Sequence, residues 1–127
     1  MPTKPTPIDK KPIVWMGSSK RDILDMPDSV KKDFGGALHG AQEGRPLEAA
    51  KPLKGAVKGA TQISEDHDGE TYRAVFTLEM PDTIYVLHCF QKKSKSGSKT
   101  PKADLDVIEA RLKDARMLHS QSKGRAK

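Results

Sequence analysis

The chain has 127 residues and carries 23 Lys+Arg against 17 Asp+Glu, a formal net charge of +6. With 35% hydrophobic residues and 5% aromatics, one lean domain is expected, and a bilayer span of about 20 apolar residues is excluded. Cys89 is the single cysteine, which excludes a disulfide scaffold, and the positive excess points to an anionic partner, nucleic acid being the commonest.

Residues 1–12 are rich in proline and charge and read as a disordered leader. The stretch Met1-Pro2-Thr3-Lys4 and its continuation lack an apolar signal region, so a cytoplasmic location is expected, with no membrane partner. Ile13 to Met16 is a short strand. Ser19 followed by Asp22 resembles a capping box and predicts a short helix through Ile23 and Leu24, which Pro27 ends. Val30, Phe34, Ala37, Leu38 and Ala41 form one stripe of a second helix. Gly35 and Gly36 weaken that helix by about 1 kcal/mol each, which close approach of another element would explain. Gly44 and Pro46 stop it, and Glu48 to Gly59 reads as an irregular loop.

From residue 60 the period becomes two. Thr61 to Glu65 and Tyr72 to Leu78 are strands joined at Asp68-Gly69, a strong hairpin signal. Thr83 to Phe90 is a third strand, apolar at both parities and therefore central or well covered. Thr100 and Pro101 then open a closing helix with Leu105, Ile108, Leu112 and Ala115 on one stripe. Residues 119–127 read as a basic flexible tail, leaving 13–118 as the domain. The order β-α-α-β-β-β-α gives an α+β fold, helices packed on an antiparallel sheet.

No phosphate-binding glycine loop occurs, and His39, His67, His88 and His119 show no metal-ligand spacing, so neither cofactor nor metal is expected. His88 and Cys89 are strand neighbours that point to opposite faces and cannot form a dyad; structural roles are expected for both. The informative feature is Arg73, mid-strand, which antiparallel pairing sets opposite Cys89 or Phe90 and so near Lys92 and Lys93. With Lys51, Lys54 and Lys58 from the preceding loop, and Lys95 and Lys99 beyond the strand, these residues make a phosphate-binding surface. A solvated basic loop is the competing reading for Lys95 and Lys99. A 2′-hydroxyl can attack its neighbouring phosphate without metal if cations hold the charge and a base takes the proton. The base stays open between Glu65, Asp66, His67 and a lysine of lowered pKa, and hairpin capping is the plainer role for the first three.

Three stretches carry a family resemblance: Ala49 to Gly55, Asp68-Gly69-Glu70-Thr71-Tyr72-Arg73-Ala74-Val75-Phe76, and Tyr85-Val86-Leu87-His88-Cys89-Phe90-Gln91-Lys92-Lys93-Ser94. Together they resemble the RelE/ParE toxin superfamily, in particular its phage-derived Gp49-like, HigB-type toxins, and the match spans residues 13–118. The resemblance implies a RelE-like fold and the toxin of a type II toxin–antitoxin pair, a ribosome-dependent mRNA endoribonuclease that inhibits translation. It implies a helix-turn-helix antitoxin encoded nearby, the ribosome and mRNA as targets, and operator DNA bound only through the antitoxin. Arg73 matches the arginine of the family's tyrosine-arginine strand motif, and Lys93 stands at its second basic position. Gln62 and Ser64 replace the strand lysines expected before the hairpin, and the late tyrosine falls near Lys99, so the base and acid stay unassigned. A non-catalytic ParE-like inhibitor of DNA gyrase is the alternative on the same scaffold, and a degenerate inactive phage protein is a third.

Overall fold

The structure, a computed structural model, describes residues 11–47, 49–92 and 100–125. Nine elements follow in order: β1 (Ile13–Trp15), α1 (Ser19–Leu24), α2 (Asp28–Gln42), β2 (Lys51–Pro52), a 3-10 turn (Gly55–Val57), β3 (Ala60–His67), β4 (Glu70–Thr77), β5 (Ile84–Lys92) and α3 (Lys102–Arg125). The fold is of the expected α+β class. The sheet runs β1-β5-β4-β3-β2, antiparallel except for β1, which pairs in parallel with β5.

Alternation makes both sheet faces apolar, and helices cover each. Ala74, Phe76, Val86 and Cys89 pack with Phe34, Leu38 and Ala41 of α2 on one face. Val75, Tyr85, Leu87 and Phe90 pack with Ile108, Leu112 and Ala115 of α3 on the other. The stripes expected on α2 and α3 are therefore the buried ones. β5, between β1 and β4, is covered on both sides.

Local signals fix the joints. Asp68 and Gly69, at φ of 51° and 79°, make the left-handed pair that a two-residue hairpin needs. α2 ends in a Schellman motif, Arg45 N–H bonding the Gly40 carbonyl at 2.9 Å and Gly44 N–H that of Ala41 at 3.0 Å.

Several expectations are corrected. Lys11 and Pro12 are not leader: Lys11 exchanges hydrogen bonds with Gln42, and the Pro12 carbonyl accepts the Ile84 N–H at 2.9 Å. Residues 1–10 lie outside the described residues. Ser18, not Ser19, caps α1 in position, its hydroxyl donating to the Asp22 carboxylate at 2.7 Å; Ser19 is buried against the Val86 carbonyl. Within 49–59, the expected loop holds β2 and the 3-10 turn, Pro52 being tolerated because β2 is an edge strand. α3 runs on to Arg125, past the expected end at 118, and His119 meets Tyr85 Oη at 3.4 Å and Asp82 at 3.5 Å, a polar anchor that apolar periodicity does not register.

The close approach expected at Gly35 and Gly36 is absent: among the described residues, nothing lies within 4 Å of a Cβ built at either. Alanine at each position should therefore raise stability by about 1 kcal/mol. Urea unfolding of the two single variants checks this, and a loss at either would show that the helix surface is constrained there.

Candidate functional site

A bulge decides which side chains share a face. Val75 pairs with His88 but Phe76 pairs with Val86, so Leu87 is an extra residue in β5. The extra residue reverses the alternation and turns His88, Phe90 and Lys92 to the α3 side, and Cys89 to the α2 side. Arg73 pairs with Phe90, and Thr71 with Lys92. Arg73 and Lys92 therefore sit on one face at the hairpin end of the sheet, in alternate ranks of the β4–β5 ladder with Tyr72–Gln91 between them.

Both are buried, Arg73 at 4% exposure and Lys92 at 7%. The Arg73 guanidinium donates to Thr100 Oγ1 at 3.1 Å, and that hydroxyl donates to Gln62 Oε1 at 3.0 Å. This network joins β4, β3 and the approach to α3; the Thr100 hydroxyl expected to cap the helix is engaged with the sheet. Burial lowers the Arg73 pKa and the negative charge of Asp104 partly offsets this; arginine remains cationic at neutral pH.

Sequence reasoning missed the residue beside Arg73. His88 Nε2 lies 2.8 Å from Asp104 Oδ1, and its ring stacks on Phe90 with centroids 4.6 Å apart. The carboxylate accepts from a protonated Nε2 and so fixes the orientation of the ring. Nδ1 is buried with no hydrogen-bond partner among the described residues. The signal was the His88–Asp104 pair, but it joins two elements and depends on the bulge.

Cys89, on the other face, has its thiol pushed up by burial to about 12, so it is no nucleophile at neutral pH. The Glu65-Asp66-His67 group divides. Glu65, raised by burial and then by Asp33, faces α2; His67 meets Ser29 Oγ at 3.1 Å; Asp66 accepts from Thr71 at 2.9 Å. Neither Glu65 nor His67 shares the Arg73 face.

Of the expected basic residues, Lys51 pairs with Gln62 at the sheet edge, exposed and near the Arg73 rank. Lys54 and Lys58 do not join it. They line a separate cleft with Arg116, toward the sheet end where Ala60 pairs with Thr77. Arg116 there forks onto Glu79 at 2.8 and 2.9 Å, which lowers the Glu79 pKa. Lys93, Lys95 and Lys99 lie outside the described residues. A cavity of about 580 Å³ beside β5 is lined by Asp22, Asp25 and Asp104 with His88 and Phe90. Its acidic wall makes it a poor phosphate cradle. Among the described residues no group of three or more His, Cys, Asp or Glu is arranged to hold a metal, and no helix is long and apolar enough to cross a membrane.

These features define a small three-layer α+β protein in which Arg73 and the His88–Asp104 pair gather under the start of the terminal helix. The profile of the family described as phage derived protein Gp49-like (DUF891) matches residues 21–113, and the chain belongs to that family. Among solved structures, a chain of the toxin–antitoxin complex RelBE2 from Mycobacterium tuberculosis is similar at 17% identity. That match covers 64% of this chain and 96% of the other, with a TM-score of 0.48. No curated protein matches the sequence.

Proposed function

We propose that this chain is the toxin of a type II toxin–antitoxin pair and arrests translation by cutting mRNA at the ribosome. The observation that carries the reading is the shared face of Arg73 and Lys92, which leads directly into the lysine-rich 93–99 stretch, in a chain of the Gp49-like family. The tyrosine-arginine motif and the resemblance to HigB-type toxins supply the reaction class.

In that reaction a 2′-oxygen loses its proton and bonds to the adjacent phosphorus. The bond from phosphorus to the 5′-oxygen breaks, and that oxygen takes up a proton. Arg73, with Lys92 and Lys93, holds the charge that builds on the phosphoryl oxygens. His88, oriented by Asp104, is the side chain on this face that could accept the proton. Lys51, Lys95 and Lys99 grip flanking phosphates. The protein works in the cytoplasm, where a helix-turn-helix antitoxin encoded nearby covers the basic face and carries the pair to operator DNA. Absence of any such reading frame beside the gene would count against the pair.

Lysines contact phosphates without reading bases, so ribosome binding should weaken steeply with salt. Replacing Lys93, Lys95 and Lys99 together by glutamine should flatten the slope of log affinity against log salt by about two to three units, near 0.7–0.9 for each phosphate no longer neutralised. Sedimentation of the protein with ribosomes across a salt series measures it. An unchanged slope would remove these lysines from the interface.

A further inference from the structure

A cleft at the other end of the sheet from Arg73 takes no part in the proposed cleavage. Lined by the 3-10 turn and by Arg116 of α3, it holds about 850 Å³, within the roughly 300–1,000 Å³ usual for small-molecule sites. It lies where Ala60 pairs with Thr77, whereas Arg73 pairs with Ser64 four ranks away, about 13 Å along the strand.

The wall that carries the lysines is firmly built. Lys54-Gly55-Ala56 recurs as Lys58-Gly59-Ala60 around Val57, whose side chain is buried in the core under α3. The Lys58 N–H bonds the Gly55 carbonyl at 3.0 Å and the Leu53 N–H bonds that of Ala60 at 2.9 Å, closing the loop on itself. Gly59, at φ of 105°, lies against the Glu79 and Arg116 side chains, where any Cβ would collide with the carboxylate. Arg116 donates to Glu79 and, at 2.9 Å, to the Lys58 carbonyl, which ties the loop to α3.

Within this frame the charges differ in what they can still bind. Arg116 is committed to Glu79, and it holds that carboxyl below its ordinary pKa and ionised. Lys54 and Lys58 are exposed, and neither has an ion-pair partner among the described residues. Two such ammonium groups attract phosphate as point charges. Leu53 and Ala56 add an apolar surface on which a flat ring can lie, and the Glu79 oxygens can accept from a hydroxyl or amino group. A bare inorganic anion would leave the apolar wall uncovered and meet the Glu79 charge. One short loop and two side chains span a single nucleotide rather than the length of an RNA strand.

We propose that this cleft binds a free nucleoside diphosphate, its phosphates on Lys54 and Lys58, its ring on Leu53 and Ala56, and a sugar hydroxyl or base amino group on Glu79. The inference stands apart from the proposed mRNA cleavage.

The test titrates the full chain with adenosine diphosphate, pyrophosphate and adenosine, following amide resonances. The nucleotide should bind with a Kd of about 1 mM or tighter, at least about tenfold tighter than either fragment. The shifts should centre on residues 53–61, 79 and 116. Lys54→Gln with Lys58→Gln, both at exposed positions, should keep the melting temperature and lose about tenfold in affinity or more. No binding, pyrophosphate or adenosine binding as tightly as the nucleotide, or undiminished binding in the double variant would each overturn the proposal. So would shifts centred on 71–73 and 88–92, or a single-stranded oligoribonucleotide occupying the cleft more tightly than the nucleotide. Because binding at this cleft is the readout, its failure leaves the cleavage reading standing, and the failure of that reading leaves the cleft.

Discussion

Arg73→Ala should reduce mRNA cleavage by about 100-fold or more, the usual consequence of removing one group that stabilises transition-state charge. Burial complicates the experiment in a useful way. The guanidinium also holds Thr100, which holds Gln62, so the variant should lose about 1–3 kcal/mol of stability as well. Thr100→Val separates the two effects, since it deletes the shared hydroxyl and keeps the cation. Both variants should unfold at lower urea concentration, but only Arg73→Ala should be inactive under conditions where both are folded. If Thr100→Val is equally inactive while folded, Arg73 acts by anchoring the start of α3 and the phosphate role falls.

The second large effect lies in the core. Phe34 is 1% exposed and sits where α2 meets the sheet, packed with residues of β4 and β5. Phe34→Ala should cost about 3–5 kcal/mol, the transfer term plus the cavity left behind. A domain of this size has about 5–15 kcal/mol in total, so the variant should be close to unfolding at growth temperature. Phe34→Leu, nearer in volume, should cost about 1.5 kcal/mol or less. Equilibrium urea unfolding distinguishes them, and a mild loss in Phe34→Ala would mean the α2 face repacks freely.

What the sequence disclosed was local. The α2 stripe, the α3 stripe from Leu105 to Ala115 and the Asp68-Gly69 turn rest on neighbours within a few residues, where periodicity and turn chemistry act. Pairing of Arg73 with the end of β5 follows from counting back from the turn at Met80 to Asp82. That count leaves a choice between Cys89 and Phe90, and the Leu87 bulge settles it as Phe90. The bulge has no signature of its own, since Tyr85 to Leu87 is apolar at every position. It nevertheless sets the face of His88, Phe90 and Lys92, and with it the membership of the site.

Other features depend on partners distant in the chain. β2 exists because Lys51 and Pro52 find Gln62 and Thr61, and β1 pairs in parallel with β5, the last strand in the chain. His88 with Asp104, and Thr100 with Gln62, each join separate elements through polar atoms. Polar residues at such places read in sequence as loop or cap chemistry, so Thr100 reads there as a helix cap although its hydroxyl belongs to the sheet.

Cleavage of mRNA is the central claim, and a translation extract tests it directly. Purified protein is added to an extract translating a defined message, and RNA ends are mapped beside a control with translation blocked. Fragments ending in 2′,3′-cyclic phosphate are expected, formed only while the message is being translated. Intact mRNA at protein concentrations that arrest growth, with DNA supercoiling by gyrase lost instead, would contradict it.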